Sequence, residues 1–199
     1  MTVTVVDLQV GNIPNVVRAF TRLGCQVRVT AQPEEVRASR VLVLPGVGAA
    51  PAAVASLARD GLGGAVQEAV GAGAWLLGIC LGHQLLFEEL WEFGRHRGLG
   101  LLAGVVAPLP EGVRSPHMGW AKIHALRADF ASLHGRWFYF VHSFVALPQV
   151  TDLVAVADHD GHEICAVVRR QRVIGVQFHP EKSGPEGEAF LREFCEMVA

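Results

Sequence analysis

The chain has 199 residues, of which 51% are hydrophobic, with a net charge of −2. That length suits one compact domain with a sizeable core. A near-neutral charge gives no general attraction to nucleic acid or an anionic membrane, and no uncharged apolar run approaches membrane-spanning length. The start of the chain lacks the basic segment and cleavage site of a signal peptide, so the expected location is cytoplasmic.

Residues 2–8 form a β-branched run that predicts a strand. Asn12 then stands where a cap belongs, Pro14 falls in the first turn of a predicted helix running to Leu23, and Gly24 stops it. Segments 26–29 and 41–44 are expected to be buried strands separated by a polar stretch, 33–39. Helical patterns cover 52–58 and 62–70, a buried strand 74–79 and a further helical pattern 83–90. Beyond them, strand-like runs at 136–141, 153–157, 164–168 and 173–178 are joined by short turns, one of them Asp160-Gly161. An amphipathic helix over 185–198 closes the chain. The alternation in the first half predicts an α/β fold: a doubly wound, mixed but mostly parallel sheet flanked by helices. The second half reads as antiparallel or mixed sheet, and no linker or repeat divides the chain, which is expected to be one domain over residues 1–199.

Three motifs point to chemistry. Gly78-Ile79-Cys80-Leu81-Gly82 follows an apolar strand and precedes a helical pattern, the arrangement of a nucleophile elbow. Glycines relieve crowding at such a turn, and the helix N–H groups that follow favour a reactive thiolate. By itself the motif fits a buried cysteine at a tight turn equally well. His179-Pro180-Glu181 supplies an imidazole and a carboxylate from one segment, the remaining parts of a nucleophile–base–orienter triad. Pro45-Gly46-Val47-Gly48, after a buried strand, reads either as a turn or as half of an oxyanion hole donated by Val47 N–H, with Leu81 N–H as the other half. It is not a phosphate loop, because no Gly-Lys-Ser/Thr follows. The four cysteines form no CxxC pair, and the histidines lack metal-ligand spacing, so no disulfide, metal or cofactor is expected.

Taken together and in this order, these motifs resemble the class I glutamine amidotransferases. Pro116-His117-Met118-Gly119-Trp120, Val141-His142-Ser143-Phe144 and the extended ending His179-Pro180-Glu181-Lys182-Ser183-Gly184 are similar to the glutaminase subunits of imidazole glycerol phosphate synthase. The resemblance covers nearly the whole chain. It implies Cys80 as nucleophile, His179 as base and Glu181 as orienting acid. It implies that L-glutamine is held by Gly46, Gln84, Glu92, Ser143 and Phe144, although Gln84 reads equally as a helix-surface residue and Glu92 as a solvated one. The implied partner is a (β/α)8-barrel cyclase subunit of imidazole glycerol phosphate synthase, forming a heterodimer and receiving ammonia. Asn12, Trp120 and Lys182 are the candidates for its docking face, each readable otherwise as a cap, a core aromatic and a surface charge. The sequence departs from the family pattern at His83, where methionine is common, at Ala121, where asparagine is common, and at Phe144, where a tyrosine is often found. His83 is more usual in amidotransferases serving other synthases.

Overall fold

A computed structural model describes residues 1–199. Its strands are β1 (Thr2–Val6), β2 (Gln26–Thr30), β3 (Val41–Gly46), β4 (Trp75–Cys80), β5 (Phe87–Leu90), β6 (His96–Arg97) and β7 (Leu102–Pro108). They continue with β8 (His117–Ala125), β9 (Trp137–His142), β10 (Phe144–Pro148), β11 (Leu153–His159), β12 (His162–Arg170) and β13 (Val173–Val176). The helices are α1 (Ile13–Arg22), α2 (Pro33–Arg37), α3 (Ala50–Ala58), α4 (Leu62–Gly71), α5 (Leu81–Gln84) and α6 (Gly184–Val198).

Nine strands make one mixed sheet, ordered β2-β1-β3-β4-β13-β12-β11-β8-β9, and the other four make a smaller one, β10-β7-β5-β6. In the large sheet β2, β1, β3, β4 and β13 run parallel, and the pairings from β13 onward to β9 are antiparallel. β3 is buried along its whole length, as an apolar Val-Leu-Val-Leu run must be when a parallel strand is covered on both faces. β2 was expected to be buried as well, but it is the edge strand of the sheet, and Val29 is exposed there. Asp160 and Gly161 both take positive φ, 50° and 79°, and make the two-residue turn between β11 and β12 that this dipeptide favours.

One segment gains a helix for local reasons, and one expected helix fails for a tertiary reason. The polar stretch after β2 contains α2, with Pro33 in its first turn and Glu34 and Glu35 at its positive end. The helix expected over 83–90 stops after a single turn, and residues 87–90 are the strand β5. The carbonyls of Leu85, Leu86 and Phe87 are taken by N–H groups of Leu99, Leu101, Leu102 and Gly100, so they cannot serve a continuing helix. At the other end of the chain, α6 buries Phe190, Leu191 and Phe194, and Phe194 meets Phe20 of α1 edge to face at 6.4 Å. The parallel strands β3, β4 and β13 all end at one edge of the sheet, with Gly46 opposite Cys80 and Val176 opposite Ile79. Ligands of open α/β sheets bind outside that carboxyl edge.

Candidate active site

Cys80 is the last residue of β4 and sits at φ 53°, ψ −107°, a conformation that a residue with a Cβ holds only when its surroundings impose it. The neighbouring glycines show what imposes it. A Cβ on Gly78 would lie 2.7 Å from the Gly82 carbonyl oxygen, and one on Gly46 would lie 2.8 Å from Leu81 Cβ. A Cβ on Gly82 would run into the Leu44 carbonyl oxygen. β3, β4 and α5 therefore close together only with glycine at these points. Gly46, expected to touch substrate, packs against Leu81 and is absent from the cavity wall. α5 is one turn long, so what it offers the sulfur is its first N–H groups rather than an extended dipole; Leu81 is the first of these.

His179 and Glu181 follow β13. His179 Nδ1 meets Glu181 Oε1 at 2.8 Å, with the side chains only 1% and 2% exposed. A carboxylate accepts, so Nδ1 carries the proton and Nε2 is left for chemistry. Nε2 is buried without a hydrogen bond, yet Cys80 is near enough to act on the charge of the ring. Burial pushes the imidazole down, but Cys80 and Glu181 outweigh it and raise His179 to about 9. The segment is pinned from behind: His179 N–H donates to the Tyr139 carbonyl, and Ser183 Oγ donates to the His179 carbonyl while accepting from Tyr139 N–H. Ser183 had no role in the sequence reading, although it lies in the extended motif.

Cys80 and His179 open onto a cavity of about 540 Å³ whose wall also includes Val47, Leu81, Gln84, Glu92, Ser143 and Phe144. Glu181 stands behind His179, outside that wall. Gln84 is buried, not a surface residue, and its Nε2 donates to the Phe144 carbonyl at 3.0 Å and to Gln177 Oε1 at 3.1 Å. Glu92 is half-buried and accepts from Ala50 N–H at 2.6 Å, so it caps the start of α3 while facing the cavity. A hollow of similar size, about 560 Å³, lies behind Glu181 between α1 and α6, but neither Cys80 nor Glu92 reaches it.

The structure adds residues to which the sequence assigns no individual role. Val141, His142, Phe93, Gly48 and Pro116 join the wall, and Gln177 lies behind it with Nε2 3.7 Å from Cys80 Sγ. His142 is lowered to about 4, chiefly by burial and despite its bond to the Phe144 carbonyl. His83, in contrast, is turned into the core: it is fully buried, has no hydrogen bond at either nitrogen, and packs edge to face on Phe87. It takes no part in the wall of this cavity.

Of the docking candidates, Asn12 and Lys182 line the same cavity, and Asn12 occupies the cap position of α1 without a capping bond from its side chain. Trp120 is no core aromatic, being 53% exposed beside Met118 on the outward face of β8. It stands edge-on to Tyr139 at 6.1 Å, and Lys182 Nζ lies 6.0 Å from the same ring, so Trp120 and Lys182 share one patch.

Residues 4–198 match the family model of the class-I glutamine amidotransferases. The chain is 45% identical to imidazole glycerol phosphate synthase subunit HisH of Lactiplantibacillus plantarum, over 98% of this chain and 95% of that one. It is 39% identical to the subunit of the same name from Lactococcus lactis, over 98% of both chains. Among solved structures, a glutamine amidotransferase superposes with a TM-score of 0.80 at 22% identity, over 98% of each chain. PurLQS from Thermotoga maritima superposes at 0.76 and 17% identity, also over 98% of each; these two likenesses concern the fold.

Proposed function

Because the chain belongs to the class-I glutamine amidotransferases, and within them to the HisH subunits of imidazole glycerol phosphate synthase, we propose a mechanism in which Cys80, His179 and Glu181 hydrolyse glutamine. The observation that carries this reading is a cysteine at a strained elbow beside a buried His–Glu pair, facing a cavity that also holds a carboxylate. The Cys80 thiolate attacks the side-chain amide carbon of L-glutamine, while Glu92 faces the substrate ammonium. The first N–H of α5, from Leu81, and that of Val47 stabilise the tetrahedral oxyanion, each worth about 3 kcal/mol when well aimed. His179, raised to about 9, is protonated at neutral pH and suits the role of giving its proton to the departing ammonia. The γ-glutamyl thioester is then hydrolysed by a water that the deprotonated His179 activates, releasing glutamate. Glu181 keeps the imidazole in the required tautomer throughout.

All 199 residues act as one amidotransferase domain in this reading, consistent with 57 buried apolar residues in a single core cluster. The ammonia passes to a (β/α)8-barrel cyclase subunit, which uses it in making imidazole glycerol phosphate and aminoimidazole carboxamide ribotide. Met118 and Trp120, 62% and 53% exposed on one strand face, are the kind of apolar surface such a partner would cover. Ammonia is mostly protonated in neutral water and then cannot act as a nucleophile, which is the physical reason for direct transfer. No helix is long and apolar enough to cross a membrane.

The test is glutamate release by the purified chain, alone and with the barrel subunit and its nucleotide ligand, with Cys80→Ser as blank. Activity appearing chiefly in the complex supports a gated subunit; strong activity from the chain alone, unmoved by the partner, sinks the partner assignment. The gate fits the Gly46–Val47 peptide, whose glycine imposes no side chain on a turn: partner binding would turn the Val47 N–H toward the oxyanion. Val47 follows the last residue of β3, so a proline there need not break the strand. Val47→Pro is expected to lower kcat by about 10²- to 10³-fold with an unchanged unfolding midpoint; full activity would exclude this donor.

A further inference from the structure

Gln177 is fully buried, and both ends of its side-chain amide are engaged. Its Oε1 accepts from Gln84 Nε2 at 3.1 Å, and its Nε2 lies 3.7 Å from Cys80 Sγ. Which end faces the sulfur is decided by a backbone carbonyl. The Phe144 carbonyl can only accept, and it lies 3.0 Å from Gln84 and 2.8 Å from His142 Nδ1. Gln84 must therefore turn its NH2 toward Phe144, and the same NH2 reaches Gln177, which must answer with its oxygen. The Gln177 NH2 is left pointing at Cys80. The network continues on the other side of Phe144: His142 carries its proton on Nδ1, so its Nε2 accepts from His117 Nδ1 at 3.1 Å. Hydrogen bonds thus run without a gap from β8 to the sulfur.

We infer that Gln177 is a further catalytic residue, donating an N–H to the Cys80 thiolate, with Gln84 and His142 as the residues that position it. The neutral thiol points its hydrogen at the Val141 carbonyl, 3.8 Å away, and that carbonyl repels the sulfur once it is ionised. The Gln177 N–H acts in the opposite sense, holding the thiolate before attack and again when it leaves the thioester. This inference rests on Cys80 being the nucleophile.

The test follows alkylation of Cys80 by iodoacetamide against pH, resolved from the other three cysteines by mass spectrometry. Gln177→Met removes the donor at similar volume, and Gln177→Glu keeps the acceptor for Gln84 but sets an oxygen beside the sulfur. Both are expected to slow alkylation at neutral pH by roughly tenfold, the low end for a hydrogen bond to a charged group, and to move the midpoint of the profile to higher pH. In the wild-type chain, the Gln177 side-chain amide resonances should shift as Cys80 ionises and stay fixed in Cys80→Ser. A wild-type rate and midpoint in a folded Gln177 variant, or a silent amide signal, overturns the inference. Glutaminase activity surviving in Cys80→Ser would instead overturn the nucleophile assignment, so the two failures are distinct.

Discussion

Replacing Cys80 by serine is expected to lower kcat for glutamine hydrolysis by about 10⁴- to 10⁶-fold in the complex, while the chain stays folded. Serine can occupy the same φ of 53°, and at 6% exposure the side chain loses little packing. What changes is chemistry: an alcohol at neutral pH holds its proton far more tightly than a thiol, and His179 is already protonated at neutral pH. A protonated imidazole matches a thiolate and is the wrong partner for a hydroxyl, which needs its proton removed. Glu181→Gln is the informative companion. The amide can present an NH2 to His179 Nδ1, which drives the ring proton to Nε2, and it removes one of the influences that raise the imidazole. A loss of about 10²- to 10⁴-fold is expected, short of that for the nucleophile. Steady-state glutamate release checks both. Cys80→Ser activity within tenfold of wild type would remove the covalent mechanism.

The parts of this site that could be read from the sequence are those whose geometry is local. Gly78, Cys80 and Gly82 lie within five residues, and the crowding that demands glycine at 78 is generated by the turn itself, whereas at 82 it comes from the Leu44 carbonyl of β3. His179 and Glu181 sit two residues apart, and their 2.8 Å contact needs only the strand end that carries them. The buried parallel strands β3 and β4 were equally plain, since an apolar run flanked by glycine and helical periodicity has few other uses. The hidden parts depend on groups far apart in the chain. The elbow helix stops because carbonyls at 85–87 are claimed by residues 99–102, and no pattern within 83–90 announces that competition. No local pattern marks β6, β7, β8 or β10, and β5 falls in the segment expected to be helix, so the whole second sheet is hidden along with β8 of the first. Gln177 points at Cys80 across 97 positions of sequence, through an orientation decided by the Phe144 carbonyl. His83 stands out in the sequence as a departure toward amidotransferases serving other synthases, but its side chain faces the core and not the cavity.

That core position leads to the second large effect, a fold that gives way in mild acid. His83 is lowered to about 3, by burial first and then by His142, and His142 itself is lowered to about 4, chiefly by burial. His117, also lowered to about 3 by burial and by its histidine neighbours, acts in the same direction with less weight because water screens it more. Above pH 6.5, the unfolded value, these rings are neutral in both states and carry no pH dependence. Between pH 6.5 and about 4 the unfolded chain takes up protons that the folded chain refuses, so each ring costs about 1.4 kcal/mol of stability per pH unit. At pH 4.5 His83 and His142 together remove roughly 5 kcal/mol, comparable with the whole stability of many domains. His179 works on the other side: raised to about 9, its contribution is fully present below pH 6.5 and is lost as pH climbs toward 9. Urea unfolding midpoints measured from pH 4.5 to 9 should therefore peak near neutrality and fall steeply on the acid limb. His83→Met separates the acid component, because it removes a titrating ring and two buried nitrogens that have no hydrogen bond. It is expected to stabilise the chain by about 1–3 kcal/mol at pH 7.5 and by about 2 kcal/mol more at pH 5. Parallel acid limbs in the two proteins would mean that His83 is protonated in the folded state, and that water or a partner group reaches a ring placed here in a dry core.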